Sequence, residues 1–287
     1  MPELPEVEAL RTFLDERLTG RSMARVNLAA FSALKTFEYP LDSLLGLQIE
    51  RVHRHGKFLD VEAQGMHLCF HLARAGWVRW HDAAPTGVPK PGKGPLSLRV
   101  VLDDDAGFDL TEAGTQRKLA LHVVDDPQRV PLIATLGPDP LADDFTPEVF
   151  DQILTNAGKA QLKGVLRDQR TIAGIGNAYS DEILHAARLS PFKGASTLTE
   201  EERLGLYRTL RETLATAVAH ATGLAAKELK DNKRSHLRVH GRTGDACAVC
   251  GTTIAEVSFA DSSLQYCPGC QTGGKVLADR RMSRLLK

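Results

Sequence analysis

The sequence predicts an α+β protein of more than one domain, and three observations predict it. Short runs rich in β-branched and aromatic residues fill the first 125 positions, apolar residues at helical spacing dominate from 147 to 221, and four cysteines form two C-x2-C pairs near the C-terminus. A chain of 287 residues can bury two cores. Its 25% charged and 43% hydrophobic residues are ordinary for a globular protein. No apolar run approaches membrane-spanning length and no charged-then-apolar leader opens the chain, so we expect a cytoplasmic protein with no membrane partner.

Val7, Leu10, Leu14 and Leu18 recur at helical spacing with Gly20 behind them, which reads as one amphipathic helix from Pro2 to Thr19. Strands follow at 23–28, 47–54, 57–62, 67–72, 76–80, 96–102, 108–111 and 118–124, enough short strands for a β-sandwich. Residues 83–95, rich in proline and glycine, read as a surface loop, and 126–145, with Pro127, Pro131, Pro138 and Pro140, as a linker. Helical patterns then recur at 147–156, 161–168, 178–187 and 199–221. The expected domains are 1–125, then 146–235, a ribbon over 236–272 and a basic tail over 273–287. Cys69 lies in the apolar run 67–72 and reads as a packed strand residue.

Cys247-Ala-Val-Cys250 and Cys267-Pro-Gly-Cys270 stand sixteen residues apart, the spacing of a four-thiolate structural zinc site. The stretch between them carries β-formers around Asp261-Ser262-Ser263 and reads as a hairpin. A pair of disulfides is the alternative, and a reducing compartment argues against it.

Pro2 follows the initiator methionine directly, with Glu3 and Glu6 behind it. Two readings of this terminus compete. Proline and glutamate suit the first turn of any helix. With Met1 removed, however, Pro2 presents a secondary amine of pKa near ~8, a nucleophile able to form an iminium at an electrophilic carbon. Gly174-Ile175-Gly176-Asn177 is ambiguous in the same way, either a plain helix–helix turn or a close-approach loop in which Asn177 caps a phosphate-binding helix. Lys57, after Arg54-His55-Gly56, is by itself an ordinary solvated lysine. Acidic and basic residues balance at 36 each, but they are segregated. Residues 223–242 hold six basic and two acidic side chains, so a basic face in the C-terminal half can hold a phosphate backbone.

Pro2-Glu3, the turn His55-Gly56-Lys57-Phe58, His71-Leu72, Leu136-Gly137-Pro138, the run from Gly174 to Glu182 and the four cysteines together resemble the formamidopyrimidine-DNA glycosylase and endonuclease VIII family, in order and spacing over nearly the whole chain. The resemblance implies an N-terminal helix and β-sandwich, a helix-two-turn-helix module and a four-cysteine zinc ribbon. It further implies a monomeric base-excision repair enzyme acting on duplex DNA with damaged bases or abasic sites. On it, Pro2 is the nucleophile at C1′, Glu3 protonates the sugar ring oxygen, Glu6 shapes that proton environment, and Lys57 binds a phosphate and assists elimination. Lys163 and Asn177 hold phosphates; Cys247, Cys250, Cys267 and Cys270 bind Zn2+.

Several positions depart from the family pattern. Arg74 stands where the family carries a methionine wedge, Leu119 where it carries phenylalanine, and Arg117 retains the arginine of that trio. Ser262, beside Asp261, falls where a hairpin arginine faces the lesion phosphate, which points to Arg280, Arg281 or Arg284 as replacements. Residues 230–240 are short where members favouring 8-oxoguanine carry a base-capping loop, which argues against an oxidised-purine preference. A non-catalytic DNA-damage binder of the same fold is the alternative function, and a protein-binding zinc ribbon is a third.

Overall fold

The structure is a computed structural model and describes residues 1–92, 94–114, 116–259 and 262–278. The chain divides into two compact units, one formed by Met1–Leu136 with Val218–Asn232, the other by Gly137–Ala217 with Lys233 onward. The boundary at 136/137 falls inside the stretch read as a linker. The return of 218–232 to the first unit has no counterpart in the sequence reading.

The first unit opens with helix α1 (Leu4–Leu18), followed by strands β1 (Met23–Leu28), β2 (Ile49–His55), β3 (Phe58–Ala63), β4 (Met66–His71), β5 (Gly76–His81), β6 (Leu96–Leu102), β7 (Gly107–Glu112) and β8 (Ala120–Val124). They form two antiparallel four-stranded sheets, ordered β1-β6-β7-β5 and β2-β3-β4-β8. Alternation makes the sandwich: Val61, Leu68, Phe70 and Val123 from one sheet share a buried core with Val78, Val100, Phe108 and Leu110 from the other. Phe70 and Phe108 meet across it with ring centroids 6.3 Å apart. Leu10, Leu14 and Leu18 of α1 join the same core, as do Ala221, Ala226 and Leu229 of the returning segment. Trp77 fixes that return by donating its indole N–H to the Ala226 carbonyl at 2.7 Å. A short helix α2 (Pro131–Ala134) closes the first stretch.

A charged cluster lies on the sheet β2-β3-β4-β8. Asp60, on β3, is fully buried and accepts from His55 Nε2 and from His67 Nδ1, each at 3.0 Å. Burial alone would raise its carboxyl, but the two imidazole hydrogen bonds outweigh that and hold it down at about 2. The same bond from Asp60 raises His67. A depressed carboxyl contributes stability above its unfolded pKa and loses it as pH falls from about 4 to about 2, about 2 kcal/mol in all. The raised His67 contributes fully below its unfolded value near ~6.5 and loses its contribution as pH climbs through the folded one. Asp60→Asn should therefore lower the urea midpoint about twice as much at pH 6 as at pH 3, where roughly half of that contribution is already gone. An equal loss at both would show that Asp60 acts through packing alone. Cys69, paired with Asp60 in the β3–β4 register, is fully buried, and burial drives its thiol well above the usual range, as suits a packed residue.

The second unit contains α3 (Pro147–Ala157), α4 (Leu162–Arg167), α5 (Asn177–Ala186) and the larger part of α6 (Glu200–Ala221). Helix α7 (Leu229–His236), whose residues up to Asn232 belong to the first unit, occupies most of the stretch read from sequence as short. Its polar sequence carries no apolar stripe to announce a helix. A hairpin of β9 (Ala255–Ser258) and β10 (Ser263–Tyr266) and the short α8 (Pro268–Gln271) complete the unit. Among the described residues no helix is long and apolar enough to cross a membrane.

Candidate active site and metal centre

The start of α1 is built to hold its first residues still. Glu3 is the N-cap in extended conformation, Pro5 sits inside the first turn, and Glu3 and Glu6 form a capping box. The Glu3 amide donates to Glu6 Oε2 at 2.8 Å, and each glutamate is only 3% exposed. Pro2 is buried beside them, while Met1 is exposed. A terminal nitrogen released here would stand next to two sequestered carboxyls on a fixed helix end.

Lys57 occupies the tight turn between β2 and β3, where Gly56 takes φ +56° and His55 pairs with Phe58. Positive φ at the first central residue alone is the type II′ pattern, which glycine supplies without strain. Lys57 is 8% exposed. Its charge bears on His71, whose imidazole is pushed down to about 4, chiefly by burial and then by Lys57 and His122, and is thus neutral at pH 7. His71 Nδ1 accepts from the Ala73 amide at 3.2 Å, which leaves the ring proton on Nε2. Arg54 ties this turn to α1. Its Nε donates to Glu8 at 2.6 Å and its Nη1 to the Gly56 carbonyl at 3.3 Å. Burial would raise Glu8, but Arg54 and then Arg11 hold it below the ordinary carboxylate range.

Arg74 and Arg117 are both exposed on connections of the sandwich. Arg74 lies in the turn between β4 and β5, where Ala73 takes φ +50°. That turn closes on Gly76, whose amide donates to the Leu72 carbonyl; a Cβ at Gly76 would lie 2.1 Å from that oxygen. Arg117 Nη2 donates to the Gly94 carbonyl at 2.6 Å. The buried Glu112 orders the same loop by accepting from the amides of Lys118 and Leu119 at 2.8 and 3.0 Å. Leu119 itself points into the sandwich core.

In the second unit Lys163 and Asn177 are brought together. Lys163 is 5% exposed, and its ammonium donates to the Asn177 carbonyl at 3.1 Å, to Ser180 Oγ at 2.9 Å and to Asp181 Oδ1. These acceptors all belong to the first turns of α5, and the side chain braces that end of the helix from inside. The expectation that Asn177 caps α5 is corrected. Gly176 holds the extended N-cap position, and Asn177 is the first helical residue, where a side chain cannot reach back to the N2 or N3 amides. Its Nδ2 donates instead to the Ser263 carbonyl of the hairpin at 2.7 Å. Asp181 and Glu182 pin the same helix to the ribbon. Asp181 accepts from His240 Nδ1 at 2.8 Å and from the Gln265 amide at 3.2 Å. Glu182 accepts from the amides of Arg238, Val239 and His240 at 2.8, 2.9 and 2.8 Å; burial still holds its carboxyl above the ordinary value.

The cysteines converge. Cys250 Sγ lies 3.3 Å from Cys267 and 3.4 Å from Cys270, and Cys247 Sγ lies 3.9 Å from Cys270. A tetrahedral ion with Zn–S bonds of about 2.3 Å requires sulfur–sulfur edges of about 3.8 Å, so the donor spacing fits one zinc ion. Sequence reasoning missed one member of the group. His185, on α5 and 3% exposed, places Nε2 3.3 Å from Cys247 Sγ. The ligand atoms of His185, Cys247, Cys267 and Cys270 lie within 4.8 Å of one another. The protein thus holds one structural zinc site with a histidine at its edge. No signal in the sequence points to His185, which lies 62 residues from Cys247 inside an otherwise helical pattern. Asp261 and Arg280, Arg281 and Arg284 lie outside the described residues.

Comparison with known proteins agrees with this layout. Residues 1–121 match the formamidopyrimidine-DNA glycosylase N-terminal domain, 136–228 its H2TH domain, and 244–273 the zinc finger found in FPG and IleRS. The formamidopyrimidine-DNA glycosylase of Chloroflexus aggregans is 33% identical over 280 residues, covering 94% of this chain and 98% of that one. An uncharacterised formamidopyrimidine-DNA glycosylase-like protein of Mycobacterium tuberculosis is 55% identical over 152 residues, 53% of this chain and 94% of its own. Among solved structures, the Lactococcus lactis enzyme in complex with DNA containing an abasic site superposes with a TM-score of 0.82 at 27% identity, covering 94% of this chain and 99% of that one. The MutM (Fpg) protein of Thermus thermophilus gives 0.79 at 33% identity, with 96% and 100% covered. Fold, zinc finger and helical module together define the DNA-glycosylase class in which a β-sandwich is joined to a helix-two-turn-helix. Within that class, the chain belongs to the formamidopyrimidine-DNA glycosylase family.

Proposed function

We propose that the protein excises damaged bases from duplex DNA and cleaves the strand at the resulting abasic site, using the Pro2 nitrogen as nucleophile once Met1 is removed. The observation that carries this is the buried Pro2 next to Glu3 and Glu6, locked by a capping box at the end of α1. The amine attacks C1′ of an extruded nucleotide, the glycosidic bond breaks, and Glu3 delivers a proton to the ring oxygen as the sugar opens to an iminium. Loss of the C2′ proton then expels the 3′ phosphate. Lys57, on its rigid turn, neutralises a phosphate beside the lesion, and the neutral His71 leaves that charge undivided.

Arg74 and Arg117, exposed on neighbouring connections of the sandwich, would occupy the space vacated by the flipped base. Lys163 positions the Asn177 segment, which meets the phosphate backbone, and zinc held by Cys247, Cys250, Cys267 and Cys270 rigidifies the hairpin next to it. The protein would act as a monomer in the cytoplasm, on the nucleoid when bound. Sodium borohydride added during incubation with an abasic-site duplex should reduce the imine to a covalent protein–DNA adduct. Tight binding of the same duplex without any adduct would overturn the enzymatic reading in favour of a damage-binding protein.

A further inference from the structure

We propose that His185 is a reserve zinc ligand, able to replace Cys250 when that thiolate is chemically consumed. A tetrahedral ion needs four donors; Cys250 Sγ stands 3.3 and 3.4 Å from Cys267 and Cys270, and His185 Nε2 stands 3.3 Å from Cys247 on a different edge of the group. Cys247 and Cys267 are buried and Cys270 is half-buried, whereas Cys250 is exposed. A reagent arriving from solvent therefore meets Cys250 first. The remaining three sulfurs and His185 Nε2 already form a set whose members lie within 4.8 Å of one another. Losing Cys250 from the shell leaves a fourth donor within reach.

The histidine is also held in place. Glu182, one helical turn earlier on α5, takes three ribbon amides, and Gln271 of α8 donates to the Leu189 carbonyl just beyond the helix at 2.9 Å. These bonds fix the imidazole against the ribbon whether or not it coordinates. A resident histidine ligand ordinarily donates its other nitrogen to an acceptor. His185 Nδ1 is buried and has no hydrogen-bond partner among the described residues. That suits a ring whose Nε2–H donates to the Cys247 thiolate at rest and which coordinates only when a position falls open.

The exchange balances. The Cys250 thiolate attacks one oxygen of a peroxide, the O–O bond breaks, hydroxide leaves, and the sulfur is oxidised by two electrons to a sulfenic acid that no longer binds zinc as a thiolate. His185 gives up the Nε2 proton to solvent and takes one on Nδ1, remaining neutral, and Nε2 closes the shell.

The test uses the full-length, zinc-loaded protein. Under hydrogen peroxide, with Cys250 modification followed by mass spectrometry and zinc release by a chromogenic chelator, wild type should keep its zinc after Cys250 is modified. His185→Phe should release it about tenfold faster or more. Equal release rates would overturn the proposal. Independently, Cys250→Ala should retain one zinc with three sulfurs and one nitrogen in its X-ray absorption fine structure, and Cys250→Ala/His185→Phe should lose it. Retention by the double variant, or loss by Cys250→Ala alone, would overturn it as well.

Discussion

Protein that retains Met1 should form no borohydride-trapped adduct with an abasic duplex and should leave the strand intact, while processed protein does both. In the processed form Pro2 carries a free secondary amine; with Met1 attached the same nitrogen is an amide, whose lone pair is delocalised and does not attack carbon. The amine of Met1 cannot substitute, because it stands one residue, about 3.8 Å, farther along the chain and at the exposed end. Pro2→Gly restores a primary amine at the original place but gives up the ring that fixes the backbone. We expect trapping to persist and the rate to fall by about 10²-fold or more. The capping box of Glu3 and Glu6 does not involve the proline ring, so thermal stability should hardly change. Equal trapping yields from the Met1-bearing and processed forms would remove Pro2 from the mechanism.

Cys267→Ser should cost the protein its metal and its grip on duplex DNA together, because the donor set that His185 can complete includes Cys267 itself. Cys267 is fully buried, its sulfur accepts from the Cys270 amide, and its own amide donates to Gln271 Oε1 at 2.8 Å, so it is both donor and turn anchor. Structural zinc contributes apparent free energies of about 10–16 kcal/mol in small fingers, far more than the ribbon's own small apolar core around Val239 and Ile254 can replace. Without the ion the hairpin loosens, and with it the Ser263 carbonyl that holds Asn177. Zinc content should fall well below half an equivalent, and the dissociation constant for an undamaged duplex should rise by about tenfold or more. The sandwich keeps its own core and its helix end. Full affinity in metal-free protein would separate the zinc site from DNA binding.

The parts of this architecture legible in sequence are those with a short repeat. Eight strands announce themselves through β-branched runs bounded by turn residues, and α1, α3 and α6 through leucines and phenylalanines at helical spacing. The two C-x2-C pairs are legible because a metal imposes its own spacing. What stays hidden depends on partners distant in sequence. Lys163 reads as a phosphate-holding residue by resemblance alone, and nothing in sequence shows that Asp181 and Ser180 are folded against its ammonium. His185 looks like any helical residue until Cys247 arrives beside it. Asn177 looks like a cap because asparagine favours caps, yet the preceding glycine takes the extended backbone and frees the side chain for the hairpin. Helix α7 has almost no apolar residues to mark it, and Leu229 is its residue in the sandwich core.

The hydrogen bond from Trp77 to Ala226 spans 149 residues of chain, and that span has a consequence for biosynthesis. Ala221, Ala226 and Leu229 complete the core of the first unit, yet they are translated about 90 residues after Leu136 ends its continuous part. At about 5–20 residues per second, the nascent sandwich waits roughly 5–20 s with that flank uncovered. The half of the molecule whose first residues leave the ribosome earliest is thus among the last to be finished, and Pro2 emerges on a scaffold still missing its final staves.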